Sequence, residues 1–120
     1  MVKLIFCLRR RPDMSEEEFH RYWREEHAPL VTSHASVLGI RRYVQLHTVS
    51  TAINDVLAVS RHAPEAYDGV AELWFDDADA LVAGAGSGAG QAAAAELALD
   101  EARASSTTAA HLCSWPRNIR

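Results

Sequence analysis

Four side chains in this 120-residue sequence have the types and positions for proton chemistry: His27, Tyr43, His47 and Glu72. An imidazole titrates at about pH 6.5, so it both takes and gives a proton at neutral pH, as isomerisation, dehydration or aldol-type cyclisation requires. His27 lies at the edge of an apolar helical stripe and just before Pro29. Its ring either enters a pocket beside Trp23 or bonds a carbonyl that the proline leaves free. Tyr43 and His47 share one strand face and suit a phenol or carbonyl oxygen as hydrogen-bond partner, their alternative place being a polar rim at the strand end. Glu72 shares a strand face with Trp74; against an indole in a partly dry pocket its pKa rises, fitting it as acid or base. The competing role is an ion pair with Lys3, Arg9 or Arg41.

Metal and cofactor chemistry find little support in the residue spacing. His20, His27 and His34 recur every seven residues, which separates neighbours by about 10 Å along a helix, too far for one ion. A haem requires an axial ligand, and His27 and His111 are of the right type, but nothing else points to one. There is no Ser/His/Asp order and no dinucleotide fingerprint. The glycine run 84–90 follows a helix rather than a strand and so fails as a phosphate loop. The expectation is a chain that works without metal or cofactor.

The elements that must position these groups follow from periodicity. Val2 to Arg9 alternates Leu4, Phe6 and Leu8 against Lys3, Ile5, Cys7 and Arg9, a two-faced strand. Ser15 with Glu18 is a capping box, and Glu16 and Glu17 place further negative charge at a helix start. Phe19, Trp23 and Leu30 fall on one stripe, with Val31 and His34 at its edge, and Pro29 predicts a kink near His27 or an early end. Ile40 to Thr48 reads as a second strand with Ile40, Arg42, Val44 and Leu46 opposite Arg41, Tyr43, Gln45 and His47. Positions 49–67 show no period and read as a long loop with room for one helical turn. Val70 to Phe75 is a third strand. Asp76 or Asp77 caps a helix carrying Leu81 and Val82 that stops at Gly84, and 84–90 reads as a flexible break before an alanine-rich helix from Gln91 to Arg103. Ala109 to Trp115 forms the last strand, ended by Pro116.

The order βαββαβ predicts an α+β, ferredoxin-like fold, an antiparallel four-stranded sheet with helices on one side, occupying residues 1–120 as one domain. One strand face is nearly all apolar: Leu4, Phe6, Leu8, Val44, Leu46, Leu73 and Phe75. The other mixes Cys7, Tyr43, Gln45, His47, Glu72, Trp74, His111 and Cys113, among which Trp23, Trp74, Cys7, Gln45 and His111 are expected to bind substrate. A lone sheet of this kind exposes a large apolar patch, which packing two copies face to face removes, so a homodimer is expected.

Composition bounds the partners. The chain is 48% hydrophobic and 23% charged, with a net charge of −4. Its basic residues cluster at Arg9 to Arg11 and Arg41 to Arg42, which gives nucleic acid no continuous track. No apolar run reaches membrane-spanning length, and the apolar opening is too short for a signal peptide. Two cysteines are too few for a disulfide framework, so a cytoplasmic location with reduced thiols is expected. Cys7 and Cys113 would approach each other if the first and last strands pair, but two separately packed thiols are the simpler reading.

The residues Lys3, Ser15-Glu16-Glu17-Glu18-Phe19, Tyr22-Trp23, His27-Ala28-Pro29-Leu30-Val31, Tyr43, Gly69 to Asp77 and Asp100-Glu101 together resemble the EthD family. The resemblance covers most of the chain outside 48–67, with the His-x-Pro-Leu helix motif as its most specific part. It implies a dimeric α/β barrel, with a small-molecule pocket between helices and sheet lined by the mixed strand face and a dimer core made by the apolar one. The glycine run 84–90 departs from the family and leaves the outer pocket wall undefined. Members of the wider superfamily are isomerases, cyclases, decarboxylases, dehydratases and cofactor-free oxygenases. The expected activity is a cofactor-independent lyase or isomerase on a small carbonyl-bearing or aromatic metabolite, with His27 moving the proton. A non-catalytic ligand-binding or accessory protein is the alternative, and a cofactor-free monooxygenase the third.

Overall fold

The computed structural model describes residues 1–114. Strands β1 (Val2–Arg10), β2 (Arg42–His47), β3 (Gly69–Phe75) and β4 (Ser105–Ser114) form one antiparallel sheet in the order β2-β3-β1-β4. This is the ferredoxin-like arrangement that the element order predicts. β4 starts four residues earlier than its apolar pattern suggests; its expected end at Trp115 and Pro116 lies outside the described residues.

Between β1 and β2 the chain is helical from Glu16 to Leu38. Ser15 accepts a hydrogen bond from the Glu18 amide and caps α1 (Glu16–Tyr22). A five-residue π turn, Trp23–His27, follows, and α2 runs on as Ala28–Leu38. The irregularity expected near His27 is a widened turn in which the Ala28 amide reaches back five residues to the Trp23 carbonyl. Pro29, which lacks an amide hydrogen, sits in the first turn of α2, where none is needed. The extra residue advances the helix phase by one, so Val31 is buried and Leu30 only partly so. Gly39 ends α2 in the left-handed region at φ 77°, and the Ile40 amide bonds the Ala35 carbonyl.

Two other sequence expectations change. Residues Ala52–Ser60 form a nine-residue helix, α3, capped by Thr51, with Ile53, Val56, Leu57 and Val59 all exposed. The glycine run is no flexible break: α4 (Ala78–Gly86), capped by Asp77, passes through Gly84, and Ser87 caps α5 (Gly88–Glu101). A Cβ on Gly84 would stand 2.4 Å from the Leu38 carbonyl oxygen, and one on Gly90 1.7 Å from that of Gly84. These glycines let α4, α5 and the end of α2 touch backbone to backbone. The cysteines are apart, as the simpler reading expects, since Cys7 pairs with Ala109 and Cys113 with Lys3, but Cys113 is exposed rather than packed.

The register also reassigns the sheet faces. Leu4, Phe6 and Leu8 share a face with Ala71, Leu73 and Phe75, as expected, but that face packs against the helices. On β2 it is Tyr43, Gln45 and His47 that join it, opposite Leu73, Ala71 and Gly69, while Arg42, Val44 and Leu46 lie on the open face. The alternation slips because Ile40 turns into the core before β2 begins, so a pattern counted from Ile40 is one residue out of step. The core is Leu8, Phe19, Trp23, Val31, Leu38, Ile40, Ala71, Leu73, Phe75, Ala93 and Ala104.

Candidate functional site

His27 ends the π turn and is 6% exposed. Its Nδ1 lies 2.7 Å from Oδ2 of Asp100, in the last turn of α5. The other Asp100 oxygen accepts a 2.6 Å hydrogen bond from the Tyr22 hydroxyl. Burial pushes the Asp100 carboxyl up, but the hydrogen bonds from Tyr22 and His27 and the charges of His27 and Arg103 outweigh it and hold the group below its ordinary value. Burial, reinforced by Asp100, pushes the Tyr22 hydroxyl up. A carboxylate only accepts, so the His27 proton resides on Nδ1. Nε2 has no hydrogen-bond partner among the described residues.

The His27 ring is part of the wall of a cavity of about 60 Å³ with Phe6, Leu8, Trp23, Val31, Tyr43, Ala71, Leu73, Leu97 and Glu101. An adjoining apolar cavity of about 210 Å³ shares Phe6, Leu73, Leu97 and Glu101 with it and extends toward Leu38, Phe75 and Leu81. Both lie between sheet and helices, the helical wall including Leu97 of α5. Trp23 is held by stacking on Phe19 at 5.5 Å and by the His47 ring at 4.7 Å, with Gly69 flat against its indole. Burial above all pushes the Tyr43 hydroxyl up to about 12, and the Glu101 charge adds to the rise. The His47 imidazole is held below its ordinary value, first by burial and then by the nearby His20 and Arg24.

The helix side of the sheet therefore brings together His27, Trp23, Tyr43, Gln45 and His47. Glu72, Trp74, Cys7 and His111 are a correction: they stand on the opposite face, because the register places Val70, Glu72 and Trp74 beside Arg42, Val44 and Leu46. Glu72 there forms an ion pair with Lys3, whose ammonium also lies 4.1 Å from the Trp74 ring. This is the competing role that the sequence offered for Glu72, and it takes the carboxylate out of reach of His27. The mixed face does not line the pocket; the apolar face does, joined by the polar half of β2.

Asp100, Glu101, Tyr22 and His20 were not among the expected site residues. One signal was available: Asp100 and Glu101 close a helix with no basic residue in its last turn, where negative charge opposes the dipole. Such a pair calls for partners elsewhere. Among the described residues, no three of His, Cys, Asp and Glu are grouped to hold a metal ion. No helix among them is long and apolar enough to cross a membrane.

The EthD domain profile matches residues 11–105. No curated protein is detectably similar in sequence. Among solved structures, the chain is similar to an EthD family protein from Bacillus halodurans c-125, at 17% identity and a TM-score of 0.64, with 97% of this chain and 99% of that one covered. It is also similar to a dimeric ferredoxin-like protein of unknown function from Thermobifida fusca yx, at 14% identity and a TM-score of 0.59, covering 95% and 90%. A point mutant of SnoaB, a cofactor-independent oxygenase from Streptomyces nogalater, matches at 15% identity and a TM-score of 0.59, covering 98% and 95%. At these identities the likeness concerns the fold.

Proposed function

The chain belongs to the EthD family, and from that premise we propose that it is a cofactor-independent lyase or isomerase acting on a small, flat, carbonyl-bearing or aromatic compound, with His27 as the base. The observation that carries this is the 2.7 Å contact from Asp100 to His27, whose ring is part of the wall of an apolar cavity. Asp100 holds the Nδ1 proton and leaves the Nε2 lone pair to take a proton from carbon beside the ligand carbonyl. The C–H pair becomes a carbon–carbon double bond while the carbonyl π pair moves onto the oxygen, which gives an enolate. Return of the proton at another carbon isomerises the ligand; loss of a neighbouring leaving group makes the same step a lyase reaction. The test is deuterium incorporation into 1-indanone in D₂O, followed by NMR. Exchange faster than in buffer, and lost in His27→Ala, supports the reading; exchange at the buffer rate in both overturns it and favours a non-catalytic binding role.

A second reading is supported by the likeness to SnoaB. The same base, taking the proton of an electron-rich dihydroxyarene, would give an anion that reacts with dioxygen directly. Oxygen uptake with 1,4-dihydroxynaphthalene that depends on His27 supports it. In either reading the protein acts as a homodimer through the open sheet face, where Ile5 and Val44 flank the Lys3-paired Glu72 and Val70 and Leu46 form the next apolar pair.

A further inference from the structure

Behind the cavity wall runs a second polar network that the His27 step does not use. Gln45 Nε2 lies 2.8 Å from the Trp23 carbonyl oxygen and 2.8 Å from the Tyr43 hydroxyl oxygen, so both amide hydrogens are spent. Its Oε1 is then the acceptor for His47 Nε2 at 2.9 Å, which fixes the proton of a neutral His47 on Nε2. His47 Nδ1 is left with a lone pair, and His20 Nδ1, 2.7 Å away, has to donate to it. Every bond from His20 through His47 and Gln45 to Tyr43 thus runs one way. The Tyr43 oxygen accepts from Gln45, its own hydrogen has no acceptor among the described residues, and its side chain lines the cavity.

We propose, resting on the reading of this cavity as a ligand site, that Tyr43 is a dedicated hydrogen-bond donor to an acceptor oxygen of the ligand, a carbonyl, enolate or phenolate. Gln45, His47 and His20 are positioning residues that hold it in this polarity. Bonds aligned head to tail polarise one another, so the last donor is the strongest placed. The raised pKa of Tyr43 keeps its proton in place, and the lowered one of His47 keeps that ring neutral, as the chain requires. Glu101 lines the same cavity, with one oxygen accepting from the Thr108 hydroxyl, and its charge also opposes a phenolate at Tyr43. The ligand class follows: a ring compound that presents an oxygen lone pair to Tyr43 fits, and one that presents an amine hydrogen there is rejected.

The test compares 1-indanone with indane, the same bicycle without its oxygen, by NMR titration and by the infrared carbonyl stretch of bound 1-indanone. Wild-type protein should bind the ketone roughly three- to tenfold more tightly than indane, with the stretch moved to lower frequency. Tyr43→Phe should remove both effects and leave indane binding unchanged. Gln45→Glu should do the same, because a carboxylate accepts the Tyr43 hydrogen and turns it from the cavity; a role limited to packing would weaken both probes together. Binding of both probes with no carbonyl shift, or with a shift that survives Tyr43→Phe, overturns the donor assignment and leaves the cavity reading intact. Failure of both probes to bind overturns the cavity reading and this one with it. Persistence of the shift in His27→Ala, with deuterium exchange absent, separates recognition by Tyr43 from proton transfer.

Discussion

The imidazole of His27 and the carboxylate of Asp100, 73 residues apart in the chain, meet at 2.7 Å and join the π turn of one helix to the last turn of another. Asp100→Asn preserves the shape of this contact and removes the obligate acceptor, so the Nδ1 proton is no longer fixed. The 1-indanone exchange rate should fall by about 10²-fold. The double variant with His27→Ala should be no slower than His27→Ala alone, because the two act as a unit.

The same pair sets an acid limit on stability. The carboxyl of Asp100 titrates lower in the fold than in the unfolded chain, so its contribution is fully present above the ordinary carboxylate pKa of about 3.9 and is lost as the pH falls through the folded value. Urea unfolding at pH 3 and pH 7 should show a smaller difference for Asp100→Asn than for wild type.

His47 gives a second pH dependence in a higher window. Its folded pKa is lowered, so the unfolded chain binds more protons there; the stability it contributes is complete above about pH 6.5 and is lost as the pH falls through the folded value. Between pH 7.5 and 5, wild type should lose more unfolding free energy than His47→Gln.

The glycines of the 84–90 segment should divide sharply. Gly84→Ala and Gly90→Ala insert a Cβ into backbone oxygens and should destabilise by roughly 1–3 kcal/mol despite the better helix propensity of alanine. Gly86→Ala meets nothing within 4 Å and should be neutral or stabilise by up to about 1 kcal/mol. Thermal melts of the three variants check this.

The open sheet face should govern the assembly state. Leu46 is 50% exposed in the single chain, and Val44 shares its face. Val44→Glu combined with Leu46→Glu should halve the mass read by light scattering after gel filtration, with the far-ultraviolet spectrum of a folded chain retained.

Much of this architecture was legible in the sequence because the strands β1 and β3 keep strict alternation and the caps Ser15 and Asp77 mark helix starts. The site was half legible. His27, Trp23, Tyr43, Gln45 and His47 could be singled out by type and spacing, but the faces could not be joined correctly across β2, since one irregular residue at Ile40 reverses every side chain after it. Glu72 was misplaced for that reason. Asp100 was hidden by distance along the chain, and the glycine run by composition alone, which cannot distinguish a flexible link from a close helix contact.

The helix α3 stands apart from all of this. It has nine residues, none of them buried, and contributes nothing to either cavity beside His27. A helix so short does not persist in water by itself, and the Thr51 cap and the bond from Asn54 to the Val49 carbonyl are modest anchors. Its amide hydrogens should therefore trade with solvent through local fraying, while those of β1 and β3 wait for the whole domain to open. Two clocks run in one small chain, and the fast one ticks away from the cavity that His27 lines.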